Sequence, residues 1–405
     1  MTPFDVVHVT YSHFPEDPRV RREVLALSLA GYRVAVIAIA LGDTMGESQW
    51  NDITVVRIAG TRRRGTFGHY VMKYGSFLVR SWKVIRRDAR FREAATIHIH
   101  SLPDFLVFAA QPARAYGARV ILDLHEILPE FAASKFAALG SRFMHWLGLR
   151  IEMASRRFAD ATITVNRPIE QLLERRRAAI DERIVVLHNA PDTSDFGPLL
   201  DPQPRGELGT LHTVYHGTLT RLYGLDLAIV AVNTLRSARM WVTLDIFGDG
   251  PERENLQAMV DALGLGDRVT LHAPVSARVL RERMPSFDAG LIPTRGDLMT
   301  KYSLSTKLLE YVHLGIPVVA PSLQTYQRYF GPGTLHYYTP NDSSSLATAL
   351  AEFRETTGTM RAEQARRAQY VLSEISWETE KPRLLALYAA LASDRRANPI
   401  GRRPS

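Results

Sequence analysis

Short apolar runs alternate with stretches of helical period along most of the chain. Residues 6–9 form the first run. A loop rich in Pro and acidic residues follows at 12–18, then apolar positions at helical spacing from 19 to 30. Gly31 ends that stretch and 34–40 makes a second run. The strand–helix–strand order predicts parallel strands joined by a right-handed crossover. Further runs at 53–58, 97–99, 120–124, 161–165 and 184–187 predict an open parallel sheet covered by helices on both faces.

Periodicity stops between 190 and 209, where Pro, Asp and Gly accumulate, so 191–209 reads as a linker. A second series then begins, with strands expected at 212–216, 242–247, 269–272, 289–292, 318–320 and 335–337. Helices are expected at 224–235, 252–263, 276–284, 306–314, 346–355 and 359–372. The fold class is α/β: two Rossmann-like, doubly wound domains, 1–190 and 210–375, facing a cleft. Ligands of such sheets bind at the carboxyl ends of the strands. The tail from 394 to 405 is basic and lacks an apolar face, so it is expected to be disordered.

Composition narrows the setting. A chain of 405 residues exceeds what one core usually supports. There is no Cys, so neither a disulfide framework nor a thiolate metal site can form, in keeping with a reducing, cytoplasmic location. No signal-like start or membrane-length apolar run is read. The net charge of +8 favours anionic partners.

Four stretches carry candidate chemistry. In residues 305–320 a polar loop opens a helix, with Lys307 in its first turn and Glu310 one turn on. A cation there opposes the helix dipole, but it suits a bound phosphate, whose ribose hydroxyls Glu310 could accept. A capped helix with solvated charges is the plain alternative. The strand-to-helix loop from His216 through Gly217 and Thr218 to Arg221 offers close backbone approach and a two-pronged phosphate donor. Gly248 and Gly250 mark a similar junction, equally readable as a turn. The run ending Asp123, His125, Glu126 places polar groups at a strand end, where a His could bond a sugar or polarise a leaving oxygen. A core His bonded to a carbonyl is its alternative. No metal motif is present, and no metal or cofactor is expected.

Residues 62–92 hold ten Arg or Lys against one acidic residue, Asp88. Aromatic and aliphatic positions 67, 70, 74, 77, 78, 82 and 85 fall at helical spacing. The stripe suits a core face, and the cation excess suits an anionic membrane surface. No nucleic-acid module accompanies it, so nucleic acid is not an expected partner.

Together these pieces resemble the retaining nucleotide-sugar glycosyltransferases of the GT-B fold, family 4. The matching stretches are Asp17 to Glu23, Asp123 to Glu126, His188 to Asp192, His216 to Leu219, Phe247 to Pro251, Lys307 to Tyr311, and Trp377 before the last helix. The resemblance implies a nucleotide-sugar donor on the second domain, with Gly217, Thr218, Gly248 and Gly250 in its loops. Ser305, Thr306 and Lys307 would cradle the diphosphate and Glu310 would bind the ribose. Arg221 and Lys307 would neutralise the leaving group, and His125 would contact the donor sugar. His13, Glu16 and Asp17 would face a glycan or lipid-linked acceptor. A last helix at 376–393 would return to the first domain. Tyr302 stands where the family often has a first glutamate, and Thr218 and Tyr223 where it commonly has Arg and Lys. An epimerase of the same architecture, or a non-catalytic nucleotide-binding or membrane scaffold protein, remains an alternative. Peripheral attachment to the inner face of the cell membrane is expected from the basic segment.

Overall fold

The structure, a computed structural model, describes residues 2–40, 42, 44–60, 65–176, 183–204 and 210–397, with side chains to 393 in the last helix. The chain forms two compact units: Met1–His188 with Glu378–Ser405, and Asn189–Trp377.

The first unit holds an eight-stranded sheet: β1 Val6–Thr10, β2 Val34–Ile39, β3 Gly46–Trp50, β4 Ile53–Ile58, β5 Thr96–His100, β6 Arg119–Leu124, β7 Ala161–Thr164 and β8 Arg183–Val186. Its order is β3-β4-β2-β1-β5-β6-β7-β8, and the order reverses at β1 and β5. The fully buried run Val34–Ile39, VAVIAI, shows why a continuous apolar stretch becomes an interior parallel strand. One expectation is corrected: the sheet is not wholly parallel. β3 runs antiparallel to β4, joined by a turn at Asn51, whose φ of 51° is left-handed. Its sequence, GESQW, is polar and mostly exposed, so no apolar run announces it. Polar edge residues also discourage pairing with other chains.

Asp17 caps the helix Pro18–Leu29, accepting from the Arg19 amide at 3.2 Å, and Pro18 fills the first turn where its missing N–H costs nothing. The basic segment forms the helix Phe67–Arg87, with only Phe77, Ser81 and Ile85 fully buried. Arg62, Arg63 and Arg64 lie outside the described residues. No described helix is long and apolar enough to cross a membrane.

The second unit's sheet is all parallel: β9 Thr210–His216, β10 Trp241–Phe247, β11 Val269–His272, β12 Ala289–Leu291, β13 Val318–Pro321 and β14 His336–Tyr338, in the order β11-β10-β9-β12-β13-β14. The order reverses at β9 and β12, the point where such sheets open a crevice at their carboxyl edge. The described part of the segment read as a linker is not loose. It carries the turn Thr193–Phe196, buries Phe196 against the second core, and has Leu200 bonded to His313 and Gln369. Its remainder, 205–209, lies outside the described residues. The last helix runs Trp377–Ala397, so the first four residues of the tail expected to be disordered are helical, and 398–405 lie outside the described residues.

Candidate active site

In the second unit the helix Thr306–His313 is seated by Tyr311. Its hydroxyl donates to the Val214 carbonyl at 3.1 Å and accepts from the His216 amide at 3.0 Å. Its ring lies over β12, where a side chain at Gly290 would stand 2.4 Å from it. The helix therefore starts beside the carboxyl ends of β9 and β12. Its cap residue Ser305 makes no side-chain cap bond. The Ser305 hydroxyl bonds Tyr326 instead. The first-turn amides at Thr306 and Lys307 thus lack side-chain capping, which is the arrangement that favours an anion.

Lys307 crosses Gly217. A Cβ at Gly217, whose φ is 122°, would stand 2.2 Å from Lys307 Cε. The ammonium lies 3.8 Å from the centroid of the Tyr223 ring. Glu310, one turn on, brings a carboxylate oxygen to 3.2 Å from His216 Nε2, though not aligned as a hydrogen bond. Burial pushes Glu310 up to about 7, against the pull of Lys307 and with the help of Asp195. Burial, reinforced by Lys307, pushes His216 down to about 3. A cavity of about 290 Å³ opens beside this cluster, lined by His216, Gly217, Thr218, Phe247, Gly248 and Asp249 among others.

The predicted residues separate into two groups. Lys307, Glu310 and Gly217 converge with His216, and Thr218 and Gly248 line the cavity. Gly250 does not line it: a Cβ there would meet the Leu219 carbonyl at 2.3 Å, and at Gly248 the Gly217 carbonyl at 1.9 Å. The bareness of that loop therefore serves close packing of the chain on itself, and Gly248 lines the cavity as well. Arg221 opens the exposed turn Arg221–Tyr223, and its carbonyl accepts from Arg295. Its neighbour Tyr223, rather than Arg221, contacts Lys307. His216 and Tyr223 were not among the predicted site residues, although His216 directly precedes Gly217.

In the first unit, β1, β5 and β6 align a ladder of polar residues. His98 pairs in register with His8, and His100 with Thr10 and Asp123. His8 Nδ1 lies 2.9 Å from His100 Nε2, and His100 Nδ1 lies 2.9 Å from Asp123. His125 Nε2 reaches the same carboxylate at 3.0 Å, so the predicted alternation of 123 and 125 does place both on one side. Its partner is thus a carboxylate and not a backbone carbonyl. Burial holds His8, His98 and His100 below the ordinary histidine range. Burial would raise Asp123, but His125, His100 and His98 together hold it well below the carboxylate range.

Asp17 lies close enough to feel His125 and His100. Burial opposes its charge, yet Arg19, paired at 3.0 Å, keeps it ionised far below its usual range. His13 is buried with Nδ1 3.3 Å from the Ile39 carbonyl, and Glu16 is exposed. Among the described residues two sets could hold a metal ion, His8 with Glu23, His98 and His100, and His100 with Asp123 and His125. No sequence motif signalled either, because their members come from separate strands and a helix.

Two family profiles match the chain: "Glycosyltransferase Family 4" over residues 19–195 and "Glycosyl transferases group 1" over 210–355. Between them they span most of its length. The chain belongs to the group 1, family 4 glycosyltransferases. Within that family, a D-inositol 3-phosphate glycosyltransferase of Arthrobacter is 30% identical over 168 residues, 39% of this chain and 38% of that protein. The chain thus matches well under half the length of that curated relative. Sucrose-phosphate synthase from Thermosynechococcus elongatus shares the fold at a TM-score of 0.77 and 17% identity, over 97% of this chain and 100% of that one. HepE of Anabaena, solved with UDP and glucose, follows at 0.65 and 15%, over 98% of this chain and 100% of that one. The fold of the family is GT-B, and both sheets described above are those of that fold.

Proposed function

We propose that the chain moves a sugar from a nucleotide-sugar donor to a glycan or lipid-linked acceptor, with retention at the anomeric carbon. One observation carries the reading. Lys307 and Glu310 rise from one helix start and meet the end of β9 at the sheet's reversal point, Lys307 over the bare backbone of Gly217 and Glu310 beside His216. That grouping suits a diphosphate at the helix start, with Lys307 offsetting its charge and Glu310 accepting from the ribose. Arg221, exposed on the neighbouring turn, supplies a second cation.

In the reaction the bond from the anomeric carbon to the donor phosphate breaks. The bond to the acceptor oxygen forms on the same face, and the acceptor proton passes to the departing phosphate. Preorganised donors facing that phosphate stabilise the charge as it develops. His125, held by Asp123, contacts the donor sugar, and His13, Glu16 and Asp17 serve the acceptor side. Because HepE was solved with UDP, a uridine diphosphate donor is the first to try.

The test is Glu310→Ala. Sugar transfer from a panel of nucleotide sugars should be abolished while circular dichroism stays that of the parent. Full transfer in the variant would falsify the assigned role, and donor turnover without any acceptor would point to epimerisation instead. The cation-rich helix Phe67–Arg87 is proposed to rest on an anionic membrane. Reversing the exposed Arg86 and Arg87 to Glu should then reduce co-flotation with anionic liposomes severalfold.

A further inference from the structure

A second cavity lies within the first unit. The helices Phe67–Arg87, Leu128–Lys135 and Ser141–Phe158 wall it, together with the turn Asp104–Ala110. Its volume is about 100 Å³ and its lining is almost wholly apolar, including Tyr70, Val71, Tyr74, Phe131, Phe136 and Leu147. An apolar cavity of that order accepts a hydrocarbon group rather than water.

Two features give it direction. One side is cationic. Lys73 lies 5.0 Å from the centroid of Tyr11 and 5.5 Å from that of Tyr70, and Lys135 lies 4.7 Å from Tyr70 and 5.1 Å from Phe131. Tyr11 packs edge-on against Tyr74 at 4.7 Å and leads directly into the acceptor-side loop with His13 and Asp17. The same helices also carry exposed apolar side chains. Val71 is 51% exposed, Met72 71%, Phe143 56% and Trp146 52%, on two of the helices that wall the cavity. Ammonium groups at its aromatic lining, one of them over Tyr11, an apolar chamber and bare apolar side chains on the same helices offer the parts that an amphiphile needs.

We propose that this cavity holds the proximal hydrocarbon segment of a phosphate-headed lipid acceptor, whose phosphate sits at Lys73 and Lys135. The proposal rests on the glycosyltransferase reading above and narrows its acceptor to a lipid phosphate. A soluble sugar phosphate would use the lysines and leave the chamber idle. An anionic membrane would use the exposed flank without entering it.

The experiment is calorimetric titration of the full chain with monomeric alkyl phosphates from ethyl to octyl, beside glucose 6-phosphate and anionic vesicles. Affinity should rise about fourfold per methylene until the chamber is filled, the increment expected for burying one CH₂. Val71→Trp, which plugs the mouth from an exposed position, should flatten that series. The paired change Lys73→Ala with Lys135→Ala should weaken every alkyl phosphate about tenfold and leave the slope intact. UDP titration of the same variants reports on the second unit, so failure of the donor reading shows there and leaves the alkyl series interpretable. Affinity independent of chain length overturns the proposal, as does glucose 6-phosphate binding as tightly as octyl phosphate. So does a slope that survives Val71→Trp while vesicles bind, which would assign the face to the bilayer.

Discussion

Glu310 has to be a carboxylate to accept from both hydroxyls of a ribose, yet burial raises it to about 7. The folded chain therefore keeps a proton that an unfolded Glu releases near its ordinary 4.5. Stability from this group is fully present below that value and is lost as pH rises through about 7, the reverse of what nucleotide binding requires. Between about pH 8 and pH 6 the ionised fraction drops roughly tenfold, and apparent affinity for UDP should fall by the same factor. Glu310→Gln should bind weakly at both, showing only the dependence that the phosphate's own titration imposes. Equal pH dependence in parent and variant would remove Glu310 from the ribose site. This residue was legible in the sequence because Lys307 and Glu310 lie one turn apart on one helix. His216 was named only as the start of its loop, and its meeting with Glu310 was not legible: a strand distant in sequence brings it there, and no local spacing encodes that meeting.

The loop after β9 and the start of the Thr306–His313 helix act as one element because Lys307 occupies the space that a side chain at Gly217 would need. Gly217→Ala should displace the lysine, weakening UDP binding by at least tenfold and costing roughly 1–3 kcal/mol of stability through crowding and strain. In a Lys307→Ala background the crowding is gone, so Gly217→Ala should cost less stability there. A double-mutant cycle by urea denaturation reads the coupling, and strict additivity would mean that the two residues do not share this space. Most elements of this kind could be read from pattern, since buried parallel strands such as Val34–Ile39 and Val318–Pro321 are continuous apolar runs. The edge strand Gly46–Trp50 could not, because its faces are wet and its place is set by hydrogen bonds to β4. Likewise Gly250 invited a ligand reading, whereas its neighbour is the chain's own Leu219 carbonyl, which a sequence does not reveal.

At the scale of the whole molecule, the chain's last helix belongs physically to its first unit. Leu384, Leu387, Tyr388 and Leu391 are buried there, and Glu380 with them. Tyr388 reaches His98 Nδ1 at 2.7 Å, and Glu380 reaches His188 Nδ1 at 2.7 Å, so the helix closes the polar ladder on the sheet that carries His125. Each buried side chain of that size contributes about 1.5–3 kcal/mol, and each orphaned buried polar group costs about 1–3 kcal/mol. Four apolar side chains and two polar partners together rival the entire stability of a typical domain, about 5–15 kcal/mol. Removing residues 378–405 should therefore unfold the first sheet while the second, which lies in a compact unit of its own, stays folded. Hydrogen exchange read by mass spectrometry should show β1, β5 and β6 losing protection and β9 and β12 keeping it, with UDP affinity within about threefold of the parent. Tyr388→Phe is the milder form: it keeps the packing and strips His98 Nδ1 of its hydroxyl partner, so protection of β5 should fall without global unfolding. Full protection of β1 and β5 after truncation would mean that the helix only covers a unit already complete without it.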